Sequence, residues 1–170
     1  VIYPNGLKVN AKSLGANRLR DAGMVQITEP GPYPFVELGK SKDLKNNDWC
    51  VSLGHAGGFQ PERTPPVRLG RVLANGRFVI TDCTIISGDS GGPLFDVKGH
   101  VIGIHSNIGE SLSQNRHIPI DVFTEDWERM RKGETWGGSQ RVNPRQLIMG
   151  VQLSPLPNDD GVVLAGITPG

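Results

Sequence analysis

The sequence predicts an all-β protein. Two observations carry this: 23 Gly and 13 Pro in 170 residues, and short apolar runs set between turn-forming residues with long helical periodicity nearly absent. The length suffices for one domain and part of a second.

The elements follow in order. Val1 to Lys12 reads as two strands around the turn Pro4-Asn5-Gly6. Met24 to Ile27 is a strand, and Glu29 to Asn47, rich in Pro, Gly and Lys, is a connector. His55 to Pro66 is a Gly/Pro loop. Val67 to Leu73 and Arg77 to Asp82 flank Ala74-Asn75-Gly76 as a hairpin, and Leu94 to Ile104 forms another around Lys98-Gly99. One helix is expected, from Asp121 to Lys132. Asp121 caps it, acids come early and bases late, Val122, Phe123, Trp127 and Met130 make its apolar face, and Gly133 stops it. Gly133 to Arg145, with Gly137-Gly138 and Asn143-Pro144, reads as a linker.

Composition excludes several classes of function. A net charge of +1 makes no electrostatic case for nucleic acid or an anionic membrane. No apolar run approaches the roughly 20 residues of a membrane-spanning helix. No His/Cys cluster has zinc spacing, so neither metal nor other cofactor is expected. Cys50 and Cys83 sit in separate apolar strands and read as two buried free thiols.

The chemistry concentrates at Gly88-Asp89-Ser90-Gly91-Gly92-Pro93. A serine hydroxyl needs a base and oxyanion donors to act as a nucleophile, and flanking glycines allow successive N–H groups to converge on one point. The segment fits the G-x-S-x-G elbow of α/β-hydrolases, which requires a helix directly after the serine. Gly91, Gly92 and Pro93 follow instead, and then a hairpin. It resembles more closely the Gly-Asp-Ser-Gly-Gly-Pro signature of trypsin- and chymotrypsin-like proteases. A lipase or esterase reading is weaker for the same reason.

That resemblance extends along the chain. Arg20-Asp21-Ala22-Gly23-Met24-Val25-Gln26-Ile27 resembles the strand opened by the triad aspartate. Asn47 to His55 looks like the first strand of a second barrel. Thr81-Asp82-Cys83 before the serine loop, and Arg116-His117-Ile118-Pro119-Ile120 before a helix, are similar to the HtrA (DegP-like) branch. Ile148 to Leu153 and Gly161 to Gly170 look like the opening of an HtrA PDZ domain. The resemblance implies a trypsin-like double β-barrel, its first barrel incomplete, closed by a C-terminal helix. The expected domains are a protease domain over 1–132, a linker over 133–145 and the beginning of a PDZ domain over 146–170.

The resemblance also implies a serine endopeptidase acting on polypeptides in protein quality control. Ser90 is the nucleophile and Asp21 orients the histidine, while the N–H groups of Gly88 and Ser90 form the oxyanion hole. Thr84, Ile85 and Ile86 border a pocket for small or aliphatic side chains, since no acid stands where a trypsin-like pocket carries Asp. Ile104-His105-Ser106-Asn107 resembles the strand that pairs with substrate backbone, placing His105, Ser106 and Asn107 on the substrate side. A periplasmic or secreted location, peptide C-termini at the PDZ segment, and a homotrimer or larger assembly are further implications.

Two departures stand out. HtrA proteases usually carry Asn where this chain has Asp89. In trypsin-like enzymes that Asp pairs with a freed N-terminus, and here its partner is left open. The family order of His, Asp and Ser places all four histidines, His55, His100, His105 and His117, after the triad slot. The catalytic His is therefore expected upstream of Val1, the chain is expected to be an internal stretch of a longer protease, and alone it is expected to be inactive. His100 reads as a solvated turn residue, His55 as a loop residue and His117 as a satisfied barrel residue. The alternative is a catalytically inactive scaffold that captures peptides through the PDZ segment by strand addition.

Overall fold

The computed structural model describes residues 1–138 apart from 4, 61, 110 and 112, together with the backbone of 151–155 and 162–167. The chain divides into two compact units, Pro34–Glu125 and Val1–Tyr33 with Asp126–Gly170. In chain order the elements are β1 (Ala11–Asn17), β2 (Ala22–Ile27), a 3-10 turn (Ser41–Asp43), β3 (Trp49–Leu53), β4 (Val67–Asn75), β5 (Val79–Thr81), β6 (Pro93–Asp96), β7 (Val101–Ile108), β8 (Asn115–Pro119), α1 (Ile120–Glu125), α2 (Trp127–Arg131), β9 (Thr135–Trp136), β10 (Val151–Pro155) and β11 (Val162–Ile167).

The unit Pro34–Glu125 is a closed barrel of six strands in the order β3-β4-β5-β8-β7-β6. Neighbouring strands are antiparallel all round. Its heart is Cys50, Val72, Val79, Cys83, Leu94 and Ile102, with Leu44 packed against them. Both cysteines are free, with their Sγ atoms 3.7 Å apart. The neighbouring Cys83 sulfur and burial push the Cys50 thiol well above its usual range. Gly70 makes room for this pair, since a Cβ there would lie 2.6 Å from the Cys83 Sγ.

A chain of polar side chains crosses the same interior. Ser52 Oγ and the Leu53 carbonyl each lie 3.0 Å from His105 Nε2. His105 Nδ1 lies 2.9 Å from His117 Nδ1, and His117 Nε2 lies 2.8 Å from Thr81 Oγ1. A carbonyl can only accept, which fixes the protons. His105 donates from Nε2, His117 donates from Nδ1 to the bare His105 Nδ1, and Thr81 donates to His117 Nε2. Both rings are thus neutral and satisfied. Burial holds His105 down to about 4, and burial together with His105 holds His117 down to about 3.

The other unit carries an open sheet in the order β2-β1-β9. Met130 of α2 is fully buried. Gly15 on β1 lets it approach: a Cβ there would meet the Met130 Cα at 2.6 Å. β10 and β11 pair antiparallel. The rest of the expected PDZ opening, and most of the expected linker, lie outside the described residues.

Three expectations need correction. The single helix over 121–132 is two short helices broken at Asp126, whose φ of -93° and ψ of 4° leave the helical region. Each half answers to different neighbours. The Asp121 carboxylate, expected to cap the helix, accepts from Ser41 Oγ at 2.5 Å and Lys42 N at 2.6 Å, whereas Asp126 Oδ2 accepts from Asn17 Nδ2 at 2.8 Å. Trp127, expected on the apolar face, is 45% exposed. The hairpin expected over residues 1–12 is shorter than read: Ile2 bridges Lys8 antiparallel, with Tyr3 N–H on the Leu7 carbonyl and Val9 N–H on the Val1 carbonyl, both at 2.9 Å, while Ala11 and Lys12 belong to β1. Within the stretch read as a linker, Thr135 and Trp136 pair parallel with Ala16 and Asn17.

The buried histidines set an acid limit on stability. Their native pKa values lie below the 6.5 of the free side chain, so the unfolded chain takes up protons first as the pH falls. Their contribution is complete above pH 6.5 and declines toward pH 4, with a slope of at most about 2.7 kcal/mol per pH unit for two groups. Urea denaturation across this range is expected to show that loss, and His117→Gln to reduce the slope by about half.

Candidate active site

Ser90 lies on the loop between β5 and β6, and its side chain is half-buried. Its Oγ donates to the Ser106 carbonyl at 3.1 Å. Ser106 is placed for this by a bulge in β7: His105 pairs with His117 and Asn107 with Arg116, so Ser106 is an extra residue. The loop is stapled to the same strand by Gly91 N–H to the His105 carbonyl at 2.9 Å and by His105 N–H to the Gly92 carbonyl at 2.8 Å.

Gly88 has φ of +95°, and a Cβ there would meet Gly58 N at 2.4 Å and the His55 carbonyl at 2.5 Å. Strain and space together demand glycine. The facing loop is fixed by Gly57 N–H to the Ser87 carbonyl at 2.7 Å and by the Arg63 guanidinium, which donates to the carbonyls of Ala56 and Gly58. Among the described residues, no acceptor meets the N–H of Gly88 or of Ser90.

Asp89, between them, is buried. Its Oδ2 accepts from Ile86 N–H at 2.9 Å, and its own N–H donates to the Ile86 carbonyl at 3.0 Å. Arg68 Nη1 of β4 lies 3.0 Å from Oδ2, off the hydrogen-bond axis, and Oδ1 has no donor among the described residues. From the sequence alone neither the partner of this carboxylate nor the role of Arg68 is evident. Arg68 carries no motif, and only the register of β4 reveals which way it points. Gly54 gives the carboxylate its space, because a Cβ there would lie 2.3 Å from Oδ1.

The remaining candidates fall in several places. Thr84 and Ile86 are exposed, while Ile85 is buried with its N–H on Asn115 Oδ1 at 2.9 Å. Ser106 and Asn107 lie together on β7, with Asn107 Nδ2 donating to Ser106 Oγ at 2.9 Å. The His105 ring points into the barrel, its nitrogens committed to Leu53, Ser52 and His117. His100 binds Asp96 Oδ2 at 3.1 Å, and the His55 ring stands edge-on to Phe59 at 5.2 Å. Asp21, exposed, directly precedes β2 with φ of 54°, a left-handed conformation that Asp tolerates better than most residues. It belongs to the unit Val1–Tyr33 with Asp126–Gly170, and Ser90 to the barrel. No group of three or more potential metal ligands occurs among the described residues.

A family model described as a trypsin-like peptidase domain matches residues 1–104. The chain belongs to the trypsin-like peptidase domain family. Among curated relatives, one from Pseudomonas fluorescens named as a DegP-like periplasmic serine endoprotease is 35% identical over 135 residues, covering 74% of this chain and 28% of the relative. A relative of the same name from Hahella chejuensis is 36% identical over 133 residues, covering 73% of this chain and 28% of its own. One from Rickettsia conorii is 28% identical over 178 residues, covering 94% of this chain and 34% of its own. The chain thus spans about a third or less of these relatives. The likeness to HtrA/DegP-like trypsin-fold proteases read from the residues stands, and the closed barrel is the all-β architecture expected of a trypsin-like peptidase domain. Among the described residues, no helix is long and apolar enough to cross a membrane.

The packing of Asp89 on Gly54 is testable in this trypsin-like domain. Gly54→Ala is expected to cost about 2–4 kcal/mol in urea denaturation, as a buried overpacking against a charged group. Gly57→Ala, at φ of +74° with nothing near its Cβ, is expected to cost only about 1 kcal/mol from backbone strain.

Proposed function

We propose that this chain is the catalytic part of a serine endopeptidase of the HtrA type. Ser90 attacks the peptide carbonyl, the N–H groups of Gly88 and Ser90 receive the oxyanion, and Asp21 orients a histidine contributed from outside the 170 residues. That histidine takes the Ser90 proton and returns it to the leaving amine. The observation that carries the reading is the Ser90 loop, where a half-buried serine shares a tight turn with two backbone donors, the N–H groups of Gly88 and Ser90, that lack internal acceptors among the described residues. The left-handed backbone at Asp21 is the kind of local strain that gathers at functional residues. The commitments of the His105, His117 and His100 rings support a base from elsewhere.

Substrates are polypeptides with small or aliphatic side chains before the scissile bond, because Thr84-Ile85-Ile86-Ser87 carries no acid to meet a base. A periplasmic location follows the names of the relatives. Residues 146–170 open a PDZ module that receives peptide termini, and the parent assembles as a homotrimer or larger.

A fluorophosphonate probe is expected to label the full-length protein at Ser90, and to leave Ser90→Ala and the isolated 170-residue chain unlabelled. A full-length protein that resists the probe points to the peptide-binding scaffold instead. Gly88→Ala keeps its N–H, but the new Cβ would push the loop off Gly58 and His55 and displace that donor, and kcat is expected to fall by about 10²–10³-fold, the usual loss when one oxyanion donor is taken out of place. A peptide-library cleavage profile dominated by Arg or Lys would refute the proposed pocket.

A further inference from the structure

We propose that Arg68 is a positioning residue for the Ser90 loop: an internal cation, fixed on a barrel strand, that holds Asp89 and through it the backbone of Gly88 and Ser90. The proposal rests on the reading of Ser90 as nucleophile.

Asp89 is the residue between the two proposed oxyanion donors, and it is pinned to Ile86 twice, its carboxylate accepting from the Ile86 N–H and its own N–H donating to the Ile86 carbonyl. A displacement of that carboxylate therefore displaces both donors. It is 1% exposed, and burying a charged group is costly unless it is paired. Among the described residues, Arg68 is the cation that reaches it, at 3.0 Å. The contact is one of charge, since Nη1 is not aimed along a hydrogen bond.

The sequence of β4 shows that this placement is not a by-product of burial. Val67 and Leu69 are 69% and 63% exposed, while Arg68 between them faces the interior opposite Ser52. Apolar burial alone would favour the reverse. Gly54 completes the arrangement by leaving the space that Asp89 occupies. The trypsin-like solution is a carboxylate met by a chain terminus, and the usual HtrA solution is a neutral Asn. Here the carboxylate is kept and its cation comes from within the barrel wall, so the loop is held without any terminus being freed.

The test uses the full-length protein and five forms: wild type, Ser90→Ala, Arg68→Met, Asp89→Asn, and the Arg68→Met/Asp89→Asn pair. Steady-state peptide cleavage by the four forms that keep Ser90 is normalised to the fluorophosphonate-reactive fraction, so that loss of folded protein is removed from kcat, and that of Ser90→Ala to total protein. Arg68→Met leaves a buried carboxylate unpaired and is expected to lower kcat by about 10–100-fold with KM changed less than about threefold. The double variant removes that charge while Asn still accepts from Ile86 N–H. It is expected to recover to within about fivefold of wild type, a rescue that lost packing at Arg68 would not produce. The proposal is overturned if Arg68→Met keeps wild-type kcat while Ser90→Ala is dead, or if the pair is no better than Arg68→Met alone. An active Ser90→Ala would instead sink the nucleophile assignment.

Discussion

The barrel depends on one line of hydrogen bonds through its interior. Ser52 and Leu53 on β3, His105 on β7, His117 on β8 and Thr81 on β5 are joined end to end. Four of the six strands are thereby tied by groups that must all be paired, because an unpaired buried polar group costs about 1–3 kcal/mol. The line also fixes the backbone of β7 where it meets the Ser90 loop. His105 gives its ring to the core and its N–H and carbonyl to Gly92 and Gly91. The next residue, Ser106, bulges and presents its carbonyl to the Ser90 hydroxyl. The packed core and the serine loop meet at two sides of one residue.

A second buried group works from the other flank. Asp89 cannot move without breaking its bonds to Ile86, and cannot lose Arg68 without stranding a charge. Glycine is required wherever this loop is approached: Gly54 for the carboxylate and Gly88 for the backbone of His55 and Gly58. The serine motif is thus one end of an arrangement that involves β3, β4 and two loops.

How much of this was legible in the sequence follows from where the information lies. The β4–β5 and β6–β7 hairpins were readable because Asn75-Gly76 and Lys98-Gly99 mark turns locally, and Gly99 adopts φ of +86°. The Ser90 loop was readable because its glycines are demanded by backbone geometry. The helix over 121–132 had good local propensity, yet Asp121 and Asp126 are drawn to Ser41 and Asn17, residues far away in sequence. His105 was read from its strand as facing substrate, while its ring is captured by His117, a pairing that exists only once β7 and β8 are in register. Arg68 was invisible for the same reason, since its meaning depends on the face of β4 it occupies.

That face has a consequence for how the strand chooses its alignment. In a sheet, a slip by one residue exchanges the two faces. Slipped, β4 would turn Val67 and Leu69 inward and release Arg68 to water, an outcome that favours the wrong pairing on hydrophobic grounds. Two features oppose it. The slip would strand Asp89 without its cation, and it would replace Gly70 by a side chain whose Cβ would lie 2.6 Å from the Cys83 sulfur. The charge beside the serine and the vacancy beside the thiols therefore act as a key that admits β4 to the barrel in one alignment only.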